Sequence, residues 1–172
     1  MGITVAFYRI SAAQFEATRR TQDEGAVYTV QRHHRVPFPY SLHYLELDKL
    51  YPLVDQFIDP TDDPTSILRQ VFHGGIVLGV YDGLAPSEVY LSVPFYFDPP
   101  TVAAISRAMA AIDDDEDMLN RYKRILEIDT DKEARENTVF PTYRDVLDLF
   151  RETFCFFHIA EEAGDAIVRI HE

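Results

Sequence analysis

The sequence predicts an α+β domain: a small mixed sheet that includes strands near both ends of the chain, covered by several amphipathic helices. Three observations predict it. Strand-like runs occupy residues 3–10 and 166–171. Segments between them carry apolar residues at helical spacing. A regular alternation of strands and helices is absent, which argues against a doubly wound fold. A chain of 172 residues suits one domain, 1–172, since domains typically run to roughly 100–200 residues.

Residues 3–10 alternate and are rich in Val, Phe, Tyr and Ile, as in a strand. Ser11 and Gln14 have capping-box spacing, so a short helix is expected to about Arg20. Tyr28, Thr29 and Val30 could form a brief strand; Pro37 and Pro39 make the next stretch extended or looped. Asp48 can cap a helix to about Ile58, with Leu47, Leu50, Tyr51, Val54, Phe57 and Ile58 on one face. Residues 59–64 read as a loop. Thr65 begins a short helix through Phe72, closed by Gly74 and Gly75.

Residues 76–81 read as a short strand and 88–97 as another, with Pro94 implying an edge or a bulge. Asp98 then caps a helix with prolines in its first turn and a stripe of Val102, Ile105, Met109 and Ile112. The next helix turns Met118, Leu119, Tyr122, Ile125 and Leu126 inward. Residues 129–141 are polar and read as loop. Thr142 and Asp145 repeat the capping-box pattern at the longest helix, whose expected stripe is Val146, Phe150, Phe154 and Phe157. Gly164 ends it before the last strand.

Charge is uneven along this frame. Residues 1–44 carry net +2 and the remainder net −15, together the −13 of the chain. Such acidity disfavours nucleic acid and membrane surfaces and favours basic protein partners. A hydrophobic content of 47% is enough for a core and weighs against disorder. The lone Cys155 allows no internal disulfide. The start has no signal-peptide pattern, and no apolar run approaches the roughly 20 residues of a membrane helix. A cytoplasmic location is therefore expected.

Catalytic signatures are weak. Cys155, His158 and Glu162 share one face of the last helix and supply a thiol, an imidazole and a carboxylate. Neighbouring acids raise a thiol pKa, however, and no oxyanion-hole motif accompanies them. His33, His34, His43 and His73 could converge with Glu46 or Asp48 on a metal, yet no metal-ligand spacing occurs, and adjacent strand residues face opposite ways. The acidic run 113–117 lacks the ligand spacing of a calcium loop and suits a helix start. His73-Gly74-Gly75 lacks the endings of a phosphate loop. No catalytic residue, metal or cofactor is assigned.

Four segments together resemble the YfbM-like family of small bacterial proteins carrying a domain of unknown function. They are Met1-Gly2-Ile3 leading into a strand and helix, Leu47-Asp48-Lys49 with Tyr51, His73-Gly74-Gly75 with Leu78-Gly79, and 150–170 with Gly164-Asp165. The chain departs from that pattern at Tyr51, where the family tends to have Trp, at Asp55, where it tends to have His, and over 82–90. The resemblance implies an α+β protein and no established activity.

Two functions from different classes follow. The first is a non-catalytic protein-binding module acting through its acidic surface on a basic partner, in an immunity or antitoxin-like role. The alternative is a small-ligand-binding protein or enzyme with a pocket near Asp48, Tyr51, His73, Gly74, Gly75 and Tyr81, where the glycine pair lets a backbone approach a ligand.

Overall fold

The computed structural model describes residues 5–21, 40–44, 51–61, 63–78, 93–112, 115–128 and 142–171. Strand β1 (Val5–Ile10) is followed by α1 (Ala12–Thr21) and β2 (Ser41–Tyr44). Helix α2 (Tyr51–Ile58), the single turn α3 (Gln70–His73), and strands β3 (Ile76–Val77) and β4 (Phe95–Phe97) come next. Helices α4 (Pro99–Ala110), α5 (Asp115–Ile128) and α6 (Tyr143–Ala163) precede the last strand, β5 (Ala166–His171).

The described strands form one sheet in the order β2-β1-β5-β4-β3. The α+β architecture is as expected, and both terminal strands are in the sheet. Every described pairing is antiparallel, where a mixed sheet was expected: β1 and β4 run the same way on either side of β5, and each opposes it. Strand β2, unforeseen among the prolines, pairs with β1 through Ala6 opposite His43 and Phe7 opposite Leu42. Pro94 precedes the first residue of β4, and β4 is interior to the sheet. The proline thus sits where its missing N–H costs no ladder bond, and the expected edge or bulge is not needed.

Both faces of the sheet are covered, which explains the nearly unbroken apolar run of β1. Phe7, Phe97 and Ile167 face a core shared with α2, α4, α5 and α6. Ala6, Tyr8, Tyr96, Val168 and Ile170 face the other way, toward Phe15 of α1 and Leu78. Phe157 joins sheet to helix, with its ring edge-on to Phe7 at 6.0 Å and to Phe97 at 6.2 Å.

The caps follow the sequence closely. The Ser11 N–H donates to Gln14 Oε1 at 2.9 Å, and the Gln14 N–H donates to Ser11 Oγ at 3.2 Å. Asp98 accepts from the Thr101 N–H at 2.9 Å. At α6 the Thr142 N–H donates to Asp145 Oδ2 at 2.7 Å and the Asp145 N–H to Thr142 Oγ1 at 3.3 Å. Gly164, at φ 67°, reverses the chain out of α6. Arg9 then anchors the turn with two bonds to Asp165 Oδ2, the shorter 2.7 Å.

Packing alters several expected faces. Phe156 is fully buried in α6 while Phe154 is only partly so, because α6 contacts α2, α4, α5 and the sheet and buries a wide arc. Leu119, expected inward, is 39% exposed, since α5 is covered on the side of Met118 and Ile125. The helix expected from Thr65 is α-helical only over Gln70–His73. Before it the Gln70 N–H donates to the Ile67 carbonyl and the Val71 N–H to the Leu68 carbonyl, bonds of the tighter three-residue type. The Asp63 carboxylate takes the N–H of Thr65 at 2.8 Å, a capping bond, and the Ser66 N–H donates to the Asp63 carbonyl at 3.0 Å, so the segment opens on a tight turn. The expected elements at 28–30, 79–81, 88–92 and 129–141 lie outside the described residues.

Candidate functional site

A cleft of about 410 Å³ opens between α2, α3 and α5. Its walls are Asp55, Gln56, Asp59, Pro60, Arg69, His73, Arg124 and Ile125. That volume is within the range of small-molecule pockets, roughly 300–1,000 Å³.

Each wall has a local cause. In α2 the apolar residues Val54, Phe57 and Ile58 are fully buried, which turns Asp55, Gln56 and, just past the helix, Asp59 outward. Helix α5 is locked against the end of α2 by Arg121. Its Nη1 donates to the Phe57 carbonyl at 3.1 Å and the Ile58 carbonyl at 2.8 Å, and its Nε pairs with Asp117 at 2.8 Å. A guanidinium on the last carbonyls of a helix satisfies acceptors that have no partner within the helix. One turn further along α5, Arg124 and Ile125 reach the cleft.

Turn α3 is held from beneath. Val71 and Phe72 are fully buried, and the Val71 carbonyl accepts from Arg169 Nη1 at 3.1 Å. Arg169 is itself fully buried in β5, with its guanidinium 4.6 Å from the centre of the Phe95 ring. This charge inside the core supports the turn that carries Arg69 and His73. The two glycines serve the same turn. A Cβ on Gly74 would come within 2.6 Å of Gln70 Cβ, and one on Gly75, at φ 111°, within 2.9 Å of Phe95 Cβ.

In the cleft wall His73 Nε2 lies 2.6 Å from Asp55 Oδ2. The side chains are 38% and 20% exposed, so the pair sits at the wall in reach of solvent. A carboxylate on one imidazole nitrogen fixes the orientation of the ring. Asp59 accepts at Oδ1 from the Thr61 N–H at 3.2 Å and its hydroxyl at 2.6 Å. Its Oδ2 is buried without a hydrogen-bond partner among the described residues.

Comparison with known proteins places the chain in a family. The family model described as "Domain of unknown function (DUF1877)" matches residues 1–169. The chain belongs to this family. A solved structure from Escherichia coli, described as a protein of unknown function, YfbM, is similar at a TM-score of 0.56 and 11% identity. The likeness covers 98% of this chain and 99% of that one, and at such identity it speaks to the fold. No match is found among curated proteins. Among the described residues of this DUF1877 chain, no helix is long and apolar enough to cross a membrane.

Of the six residues predicted for a ligand pocket, His73 lines the cleft, and Gly74 and Gly75 follow it. Tyr51 opens α2, with its side chain outside the described residues, as are Asp48 and Tyr81 altogether. Gln56, Arg69 and Arg124 went unnamed in the sequence reading, and Asp55 was named there only as a departure from the family pattern. Arg69 and His73 are four apart, as are Asp55 and Asp59, which is a helical-face signal. The juxtaposition of Asp55 with His73 has no sequence signal.

The other candidates resolve differently. Cys155 is exposed, as expected for the polar side of α6. His158 stacks on Phe154 at 5.6 Å, with Nε2 3.6 Å from Glu162 and Nδ1 3.9 Å from Glu161. Glu161 also receives the Ser106 hydroxyl and Arg107, which hold its carboxyl below the ordinary 4.5 and tie α6 to α4. His33, His34, Glu46 and the His43 side chain lie outside the described residues. Among those described, no three His, Cys, Asp or Glu side chains converge to hold a metal. Asp115, Glu116 and Asp117 occupy the first turn of α5.

Proposed function

We propose that this DUF1877 protein binds a small polar molecule in the α2–α3–α5 cleft, with His73 and Asp55 as the pair that orients it. The observation that carries the reading is the 2.6 Å contact between these side chains in the wall of a 410 Å³ concavity. It deepens the pocket expected around His73. A histidine set by a carboxylate is also equipped to exchange a proton with a bound group, so the site has the means for acid–base chemistry.

The test is an NMR screen of small polar metabolites against the ¹⁵N-labelled protein. Binders should shift the amides of Asp55, Arg69, His73 and Arg124, and His73→Ala should weaken them by about tenfold, the loss of one charge-assisted bond. Binders that shift only other surfaces, or none at all, would sink the reading.

A second reading is a cytosolic protein-binding module for a basic partner, immunity-like in action. What supports it is the net charge of −13 together with the exposed Asp145, Asp148, Glu152 and Glu162 along the outer side of α6. Acidic surfaces of this kind speed association with basic partners. Pull-down from native lysate at low and moderate salt decides it: a stoichiometric basic partner released by salt supports the module, and no partner at either salt removes it.

A further inference from the structure

Building on the ligand-binding reading, we propose that the molecule held in this cleft is a small zwitterion, with an ammonium group for Asp59 and a carboxylate for Arg124, as a free amino acid carries. The other charged side chains of the wall are engaged within the protein. Asp55 lies 2.6 Å from His73. Arg69 already has an interaction of its own. What remains is one acid just past α2 and one base on α5, both lining the same concavity.

Asp59 is the unmet acceptor. Its Oδ1 takes the Thr61 N–H at 3.2 Å and the Thr61 hydroxyl at 2.6 Å, which tethers one end of the carboxylate. Its Oδ2 is buried with no hydrogen-bond partner. A buried carboxylate oxygen without a donor is costly, so a donor that reaches it gains more than at a solvated acid. The residue itself is half-buried in the cleft wall, and a small turn of the carboxylate presents that oxygen to a bound group. An ammonium brings N–H donors and positive charge together.

Arg124 is the unmet donor. It is exposed and makes no hydrogen bond or ion pair with any described residue, whereas Arg9, Arg107, Arg121 and Arg144 each pair with an acid. A guanidinium matches the two oxygens of a carboxylate, which is its distinctive recognition chemistry. A ligand with a single charge would satisfy one of these groups and face a like charge at the other. A zwitterion satisfies both, and Pro60 and Ile125 offer apolar surface to its carbon frame.

The experiment titrates two matched sets into ¹⁵N-labelled protein at neutral pH and constant ionic strength. One set is leucine with isocaproate and isoamylamine; the other is δ-aminovalerate with valerate and amylamine. Each is a zwitterion with its two halves, the charges close together in the first and far apart in the second. Saturable shifts at Asp59 and Arg124 with at least one zwitterion are expected, with both of its halves at least about tenfold weaker. Asp59→Asn keeps an acceptor for Thr61 while removing the charge, and Arg124→Gln removes the guanidinium. Each should weaken the zwitterion at least about tenfold. Lys123→Gln, a charge removed from an exposed neighbour on α5, should leave it within about twofold. A half as tight as its zwitterion, or equal losses in all three variants, would overturn the assignment. So would Asp59→Asn and Arg124→Gln each lowering stability but no further together, since the two side chains would then be partners of each other. Metabolite binders in the cleft that all lack one of the two charges would overturn it while leaving the ligand site standing. Failure of every probe, and of the metabolite screen, would remove the ligand site itself.

Discussion

Gly75 follows α3 at φ 111°, a backbone state that side chains rarely adopt, and a Cβ there would press on Phe95 at 2.9 Å. Gly164 also has positive φ, at 67°, but a Cβ on it would meet nothing within 4 Å. The two positions therefore separate backbone strain from steric contact. Gly164→Ala should cost about 1 kcal/mol, the left-handed penalty alone. Gly75→Ala adds a clash with the strand and should cost about 2–3 kcal/mol. Urea denaturation of both variants checks the order, and a smaller loss at Gly75 would contradict it. At this scale the sequence was informative about residue type and silent about partners. A glycine pair after a helical turn reads as a stop. Only the approach of β4 explains why Gly75 excludes a side chain, whereas Gly74 is crowded by Gln70 of its own turn.

Helix α6 shows how far local chemistry carries an element. Thr142, Asp145 and Gly164 set its ends within a few residues, and each does so through bonds to its own neighbours. Such signals need no tertiary context, so they were legible. The Thr142 hydroxyl, then its N–H, holds the Asp145 carboxyl below the ordinary 3.8. A folded pKa below the unfolded one means that the unfolded chain takes up the proton first as pH falls. The cap therefore contributes fully above pH 3.8 and is lost as pH drops through the lowered folded value. Thr142→Ala should destabilise by about 1 kcal/mol at neutral pH. That loss should shrink when denaturation is repeated below pH 3.8. A penalty independent of pH would show that the carboxylate takes no part. The elements read less well were those whose limits are set from outside. Turn α3 is held by Arg169 of β5 on the Val71 carbonyl, and β2 exists because β1 offers it an edge.

Across the whole molecule, the sequence by itself determined the α+β class, the two strands that join ends of the chain in one sheet, the caps of α1, α4 and α6, and the apolar stripe of α4. It also determined the family likeness, carried by order and spacing of segments. Periodicity and capping are written within a few residues of one another, and a reader of the chain can recover them. The tertiary structure decided the rest. It put Asp55 against His73, Arg124 and Arg69 in the wall of one cleft, and Arg169 beneath the turn that carries it. It also set the antiparallel order of the sheet and chose Phe156 over Phe154 for the core. These are contacts between elements far apart in sequence. Their register depends on how whole faces pack, because close-packed interiors admit few arrangements and no short stretch of residues encodes them.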